Sequence, residues 1–294
     1  MIVVTAPTGT IGRQLLENLV DRGQPIRVVA RDPSHLPPHI VGRVETVQGS
    51  HGDSDVVNEA FKGAESVFWL VPPDPRAKSV EAAYVDFTRP AADALRRHGV
   101  KRVVGVSALG RGTEAARSAG PVTASLKMDD LIMSTGVSYR ALAMPSFMDN
   151  ILRQVRLIKS QKMFVSPIAG DRKLPICATR DIATAGAKLL LDRSWGGQGS
   201  VPILGPEDLS FSDMAQIVSD ALAQPVRFQQ ISFEAYKAGF VERGMSEAMA
   251  QGMADMAAAK NAGLDNAEPR TAQSTTPTSF RQWCEDVLKP AVLG

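Results

Sequence analysis

Over the first 150 residues, short β-branched runs alternate with stretches of helical periodicity, and this alternation limits the possible folds more than any other feature. Residues 2–5, 26–30, 44–47, 66–71, 101–107 and 139–143 read as strands. Between them lie helical patterns after residue 10 and over 56–61, 79–98 and 123–134. Leu15, Leu16, Leu19 and Val20 fall on one stripe of the first helix, which Arg22 and Gly23 close. Strands alternating with helices call for a mostly parallel sheet with helices on both faces. Right-handed crossovers then leave few topologies, of which the doubly wound, Rossmann-like α/β arrangement is the commonest.

Beyond residue 150 the rhythm loosens. A helix is expected over 181–191 and an edge strand over 200–204, because Pro202 fits an edge better than a centre. An amphipathic helix follows over 211–222, then a polar loop over 261–278 and a last short helix over 280–288. Met245, Met249, Met253 and Met256 are spaced by 4, 4 and 3, so one helix carries a methionine stripe. It reads either as core packing or as an adaptable wall of an apolar pocket.

The segment Val4-Thr5-Ala6-Pro7-Thr8-Gly9-Thr10-Ile11-Gly12 sits between a strand and a helix, where a dinucleotide-binding loop belongs. Gly9 would let the backbone approach a pyrophosphate, and Gly12 would let the helix pack closely. The helix N-terminus offers unpaired N–H groups and a positive dipole end. Ala6 stands where the usual fingerprint has its first glycine, and alanine fits there if the backbone avoids positive φ. Arg31 follows the second strand directly, and its guanidinium suits the 2′-phosphate of NADP. Asp32, one position later, is expected to point away. NADPH is therefore the expected cofactor, with NAD the alternative.

Together with Ala30-Arg31-Asp32-Pro33, Gly52-Asp53, Pro145 to Asn150, Arg180-Asp181-Ile182-Ala183, Gly205-Pro206-Glu207 and Thr276 to Phe280, this loop resembles the successive signatures of NmrA-like proteins. Those proteins are atypical short-chain dehydrogenase/reductases, and the likeness runs over nearly the whole chain. It implies an NAD(P)-binding Rossmann domain over 1–150, to which about 177–204 returns. It also implies a smaller α-rich, substrate-side domain of 151–176 and 205–294. In that family Thr8, Gly9, Thr10, Ile11 and Gly12 would hold the pyrophosphate and Arg31 the 2′-phosphate. Asp53, placed at the end of the third strand, would meet the adenine. Val71 and Pro72 would line the ribose side, Ser107 the sugar and nicotinamide side, and Pro145, Ser146 and Phe147 would flank the nicotinamide.

The wider superfamily uses a Tyr-x-x-x-Lys pair, in which lysine lowers the tyrosine pKa and the phenol protonates a carbonyl as hydride arrives. Four residues beyond Tyr84, Tyr139 and Tyr236 stand Thr88, Ala143 and Phe240, so the pair is absent. At the matching distance after Ser107 stand Thr123 and Lys127, a threonine where the tyrosine would be. Lys127 reads as a ribose holder or proton donor, or else as an exposed helix lysine. Thr123 and Ser125 read as orienters of a substrate oxygen, and Ser107, Thr123 and Lys127 are the catalytic candidates.

A quinone or extended cationic dye accepts hydride with little acid help, because the product charge is delocalised. The expected activity is thus NADPH-dependent hydride transfer to an aromatic, quinone-like small molecule. The alternatives are a non-catalytic NADP(H) redox sensor and, less favoured without the tyrosine, a sugar-nucleotide epimerase or dehydratase.

Lys and Arg total 33 against 31 Asp and Glu, and a net charge of +2 argues against nucleic acid as a partner. Two cysteines, Cys177 and Cys284, make neither a disulfide framework nor a four-sulfur zinc site, which points to the cytoplasm. His35 and His39 are separated by Pro37-Pro38, so no metal site is expected. No apolar run reaches the ~18 residues of a membrane span, and Met1 to Val4 lacks the basic flank of a signal peptide. A homodimer is left open.

Overall fold

The computed structural model describes all 294 residues, Met1–Gly294. It divides into two compact units. The first comprises Met1–Ala108, Ala124–Ala143 and Ile182–Val201, and the second Leu109–Thr123, Met144–Asp181 and Pro202–Gly294. The chain leaves the first unit at 143 rather than after 150, and segment 109–123 goes with the second. Leu109 N donates to Met144 O at 3.2 Å, and the Gly110 backbone lies so close to Leu264 that a Cβ there would sit 2.6 Å from its Cδ1.

In chain order the first elements are β1 (Ile2–Thr5), α1 (Thr10–Leu19), β2 (Ile26–Ala30), β3 (Glu45–Gln48), α2 (Ser54–Phe61), β4 (Ser66–Trp69), α3 (Phe87–His98), β5 (Arg102–Ala108), α4 (Pro121–Met133) and β6 (Ser138–Met144). There follow β7 (Ser146–Phe147), α5 (Val155–Gln161), β8 (Met163–Ser166), β9 (Leu174–Cys177), α6 (Thr179–Leu191) and β10 (Gln198–Pro202). The chain ends with β11 (Asp208–Leu209), α7 (Phe211–Leu222), β12 (Arg227–Gln230), α8 (Phe233–Glu242), α9 (Glu247–Asn261), α10 (Phe280–Trp283) and α11 (Lys289–Leu293).

A seven-stranded sheet forms the frame of the first unit, in the order β10-β6-β5-β4-β1-β2-β3. β1 pairs in parallel with β2 and with β4, so Val4 stands between Val28 and Phe68. β2 with β3 and β4 with β5 are parallel as well. This is the doubly wound Rossmann arrangement. Every residue of β1 and β4 is buried, as in a sheet covered on both faces. α1 buries Ile11, Leu15, Leu16 and Leu19 on one stripe and ends at Leu19, three residues before Arg22. β10 lies at the sheet edge, as Pro202 at its end requires. The helix expected over 79–98 opens instead with a wider π-helical turn, Ala82–Asp86. Pro90 inside α3 has no N–H for the Asp86 carbonyl, and the wide turn re-routes those bonds.

In the second unit, β9 pairs in parallel with β7 and antiparallel with β11, and β12 pairs in parallel with β8. Phe164, Met214, Val218, Phe280, Trp283 and Leu288 centre its core. Ser210 and Asp213 form a reciprocal capping box at the start of α7. The stretch expected as a polar loop is ordered. A short 3₁₀ turn, Leu264–Ala267, is held by the buried ion pair of Lys260 and Asp265. Leu204 N donates to Ser274 O at 2.7 Å, and Thr276 N donates to Leu204 O at 2.6 Å. The methionine stripe divides: Met249 is core, while Met245, Met253 and Met256 are half-buried.

The Arg180-Asp181 motif acts on the fold. Buried Asp181 accepts from Thr278 N at 3.1 Å and from Thr278 Oγ1 at 2.8 Å. Arg180 donates to Thr278 Oγ1 at 2.9 Å and to Asp286 at 2.8 Å. Two distant segments are thereby clamped within one unit. No helix is long and apolar enough to cross a membrane. Asp181→Ala should leave two buried donors of Thr278 without acceptors and cost about 2 kcal/mol or more. A lowered urea midpoint, with earlier proteolysis within residues 274–294, is the expected outcome, and unchanged unfolding would contradict the clamp.

Candidate functional site

The strand order reverses between β1 and β4, so the crossovers leaving these strands diverge and open a crevice at their C-terminal ends. Thr5 joins the two strands there. Its Oγ1 accepts from Leu70 N at 2.9 Å and donates to Phe68 O at 3.0 Å. The chain then turns through Ala6 to Gly9 into α1. Gly9 N donates to Ala6 O at 3.2 Å. Ala6 has φ +49°, which overturns the expectation that alanine avoids the left-handed region here. The turn is forced by that bond, and the alanine bears roughly 1 kcal/mol of strain for it.

The two glycines of the loop differ in what they do. A Cβ on Gly12 would lie 2.2 Å from Ala6 O and 2.8 Å from Pro7 Cα, so the loop itself requires glycine. A Cβ on Gly9 would meet only Ala6 O, at an ordinary 3.5 Å, and Gly9 has an extended backbone (φ −78°) open to any residue. Nothing within the chain needs glycine at position 9.

α1 also lacks a side-chain cap, because its N-cap is Gly9. By contrast α2, α7, α8, α9 and α10 are capped by Asp53, Ser210, Ser232, Ser246 and Ser279. The amides of Thr10, Ile11 and Gly12 therefore have no internal acceptor and face the crevice with the positive end of the helix dipole. These groups fit the diphosphate of a dinucleotide.

Arg31 follows β2 and is exposed. Asp32 is turned from it: its carboxylate accepts from Ser34 N at 3.0 Å and Ser34 Oγ at 2.7 Å, bonds that hold its pKa below the usual carboxylate range. Arg13, directly after Gly12, reaches the same turn and donates to His35 O at 3.3 Å. It is a second guanidinium that sequence reasoning missed, although its place beside the last glycine could have signalled it.

Asp53 stands elsewhere than expected. β3 ends at Gln48, and Asp53 caps α2 by accepting from Asp55 N at 3.0 Å. The position beside β4 belongs to His51. Its Nε2 lies 3.0 Å from Leu70 O, and since a carbonyl only accepts, Nε2 carries the hydrogen. Trp69 and Phe87 meet the His51 ring edge-on, with centroids at 5.2 and 4.9 Å. Burial, reinforced by the charge of Arg31, lowers its pKa from 6.5 to about 4, against the bond to Leu70. Val71, buried, and Pro72, exposed, follow β4 at the same edge of the sheet.

Each of the catalytic candidates holds partners within the chain. Ser107 on β5 is buried and donates to Asp129 Oδ2 at 2.5 Å. Tyr139 donates to Asp129 Oδ1 at 2.6 Å. Gly105 makes room for that phenol, since a Cβ there would fall 2.0 Å from its oxygen. With its hydrogen held by Asp129, Ser107 offers an incoming group lone pairs only. Thr123 Oγ1 donates to Ala116 O at 2.7 Å and accepts from Ala119 N at 2.8 Å, so it fixes the start of α4. Lys127, on a turn of α4 that faces solvent, pairs with Glu81 at 2.6 Å. Ser125 is buried. In the second unit Pro145 is buried, and half-buried Ser146 and Phe147 form β7, in register with Ile176 and Cys177 of β9. No group of three or more His, Cys, Asp or Glu side chains is placed to hold a metal ion.

Gly9→Ala should leave the unfolding midpoint unchanged yet weaken NADPH binding about tenfold or more, by obstructing the loop amides. Gly12→Ala should lower stability by about 1–3 kcal/mol, as overpacking does. Calorimetry and urea unfolding check both, and equal behaviour of the two variants would contradict the distinction. For His51, the unfolded chain takes up a proton below pH 6.5 while the folded chain does not until about pH 4. Stability should thus fall by about 2 kcal/mol more between pH 7 and pH 5 in the wild type than in His51→Gln. Parallel losses in urea titrations would show that the ring titrates normally.

Residues 7–190 match the model of a family described as NAD(P)H-binding. A curated relative, the (4-alkanoyl-5-oxo-2,5-dihydrofuran-3-yl)methyl phosphate reductase of Streptomyces griseus, is 28% identical over 244 residues, covering 83% of this chain and 81% of that protein. The NAD(P)H azoreductase of Xenophilus azovorans is 26% identical, covering 87% and 86%. Among solved structures, an NADPH-dependent quinone oxidoreductase of Escherichia coli superposes with a TM-score of 0.77 at 18% identity, covering 98% of this chain and 100% of that one. The fold, the loop and the matched family agree: this chain belongs to the NAD(P)H-binding family, in the atypical short-chain dehydrogenase/reductase class that its motifs resemble.

Proposed function

We propose that this chain is an NADPH-dependent oxidoreductase that delivers hydride to an aromatic, quinone-like small molecule. The observation that carries the reading is the uncapped N-terminus of α1, at the point where the strand order reverses. Thr8 to Gly12 bind the diphosphate through main-chain N–H groups. Arg31, joined by Arg13, pairs with the 2′-phosphate, while Asp32 stays bound to Ser34. Val71, Pro72 and His51 border the adenosine side, and Ser107 accepts from a sugar hydroxyl or the carboxamide amine. Pro145, Ser146 and Phe147 flank the nicotinamide, as the family resemblance implies. When bound, the cofactor supplies hydride from nicotinamide C4, and the protein supplies position.

The chemistry of the first unit narrows the substrate. Ser107 and Tyr139 have committed their hydrogens to Asp129, and Lys127 lies paired at the surface. A simple ketone would therefore find no strong acid there. A quinone or an extended dye, whose reduced form spreads its charge, needs less help. The reductase names of the two curated relatives support this direction.

The same lack of an acid favours a second reading, a redox sensor that binds NADP(H) without turnover.

Stopped-flow mixing of the NADPH-loaded protein with a panel of quinones should show loss of the reduced-nicotinamide absorbance. Arg31→Ala should weaken NADPH binding about tenfold or more, the loss expected for one charge-assisted pair, and NADH binding less than about threefold. No oxidation by any quinone, with unequal affinities for the oxidised and reduced cofactor, would establish the sensor. Equal loss for both cofactors would overturn the role of Arg31.

A further inference from the structure

Positive charge is unevenly spread along this chain. Residues 150–170 hold Arg153, Arg156, Lys159 and Lys162 and no Asp or Glu, so in a chain of net charge +2 the remainder is net negative. Such asymmetry points to an anionic partner.

The fold gathers this charge on the second unit. Arg153 stands in the 3₁₀ turn Met148–Gln154, α5 carries Arg156 and Lys159, and Lys162 is the C-cap of α5. A spacing of three advances about 300° around an α-helix, so Arg156 and Lys159 are neighbours on one side. Ile158, between them, turns inward and is buried. All four cations are exposed, and none has an ion-pair partner in the chain. Other cations of the second unit do: Arg281 pairs with Asp220 at 2.8 Å and Lys289 with Glu285 at 2.9 Å. Arg227, also exposed, adds a fifth charge. Its backbone N donates to Lys162 O at 2.9 Å, and its guanidinium donates to Met163 Sδ at 3.6 Å.

α11 packs against α5 and gives this face an apolar neighbour. Val292 is buried in the core that also holds Ile158. Leu293, next in the chain, is 60% exposed and is one of only two large hydrophobic side chains left so bare. Cations beside a bare leucine suit an anionic bilayer, where the charges meet lipid headgroups and the leucine enters the boundary beneath them. A nucleic acid would find its phosphates matched but no ring for its bases to stack on, because Phe164 is buried and Phe228 half-buried.

We propose that Arg153, Arg156, Lys159, Lys162 and Arg227, with Leu293 beside them, dock this protein on the surface of a bilayer rich in anionic lipid. Such docking needs neither cofactor nor substrate, so it is independent of the reductase reading.

The protein should sediment with vesicles of equal parts phosphatidylserine and phosphatidylcholine, stay in solution with phosphatidylcholine alone, and be released by high salt. Arg156→Gln combined with Lys159→Gln should weaken vesicle binding about tenfold or more, since each cation near such a surface contributes about fivefold. Arg153→Gln combined with Lys162→Gln, on the two flanks, should do the same. Leu293→Ser should weaken binding while leaving its salt sensitivity intact. All these side chains are exposed, so each variant should keep the wild-type urea midpoint. Equal sedimentation with both kinds of vesicle, or unchanged binding in both double variants, would overturn the proposal. So would binding of a duplex DNA fragment through the same cations with none to vesicles, which would make this face a nucleic-acid surface.

Discussion

The arrangement of this protein follows from one constraint: β1 must lie between two parallel neighbours whose crossovers leave in opposite directions. That geometry opens a crevice at the strand ends and directs α1 into it. Thr5 locks the opening by bonding across to the strand end at Phe68 and Leu70. Ala6 turns the chain at a conformational cost, and Gly12 lets α1 approach its carbonyl. The reward is a row of amides without internal acceptors. Five other helices carry a serine or aspartate cap, and α3, α5 and α11, which also lack one, run on directly from a π-helical or 3₁₀ segment, whereas α1 starts afresh from a loop at Gly9.

Much of this was legible beforehand, because it depends on hydrophobic period and on glycine spacing. The strands of the first unit follow from β-branched runs buried on both faces, and the binding loop follows from its place between a strand and a helix. The turning away of Asp32 was legible too, and its carboxylate is taken up by Ser34. The turn at Ala6 was not, because the carbonyl bond that sets its φ is a property of the closed loop. Asp53 was misplaced because Gly49 to Gly52 extend the connection after β3, and the aspartate caps a helix rather than ending a strand.

The buried triad of Ser107, Asp129 and Tyr139 marks where sequence reasoning reaches its limit. Asp129 and Asp130 are adjacent and look alike in sequence, yet one is buried and accepts two hydrogen bonds while the other is exposed. Only the packing of α4 on the sheet separates them. The outcome matters for chemistry, because a carboxylate that takes the hydrogen of Ser107 converts a candidate donor into an acceptor. The proposed hydride transfer then depends on positioning rather than on a strong acid in the first unit.

Amide hydrogen exchange at the start of α1, measured with and without NADPH, tests the central claim most directly. The account predicts that NADPH slows exchange at Thr10, Ile11 and Gly12, because those N–H groups gain phosphate acceptors. The capped start of α7 should exchange at the same rate in both conditions. Unaltered exchange at residues 10–12 in the presence of saturating NADPH would contradict it.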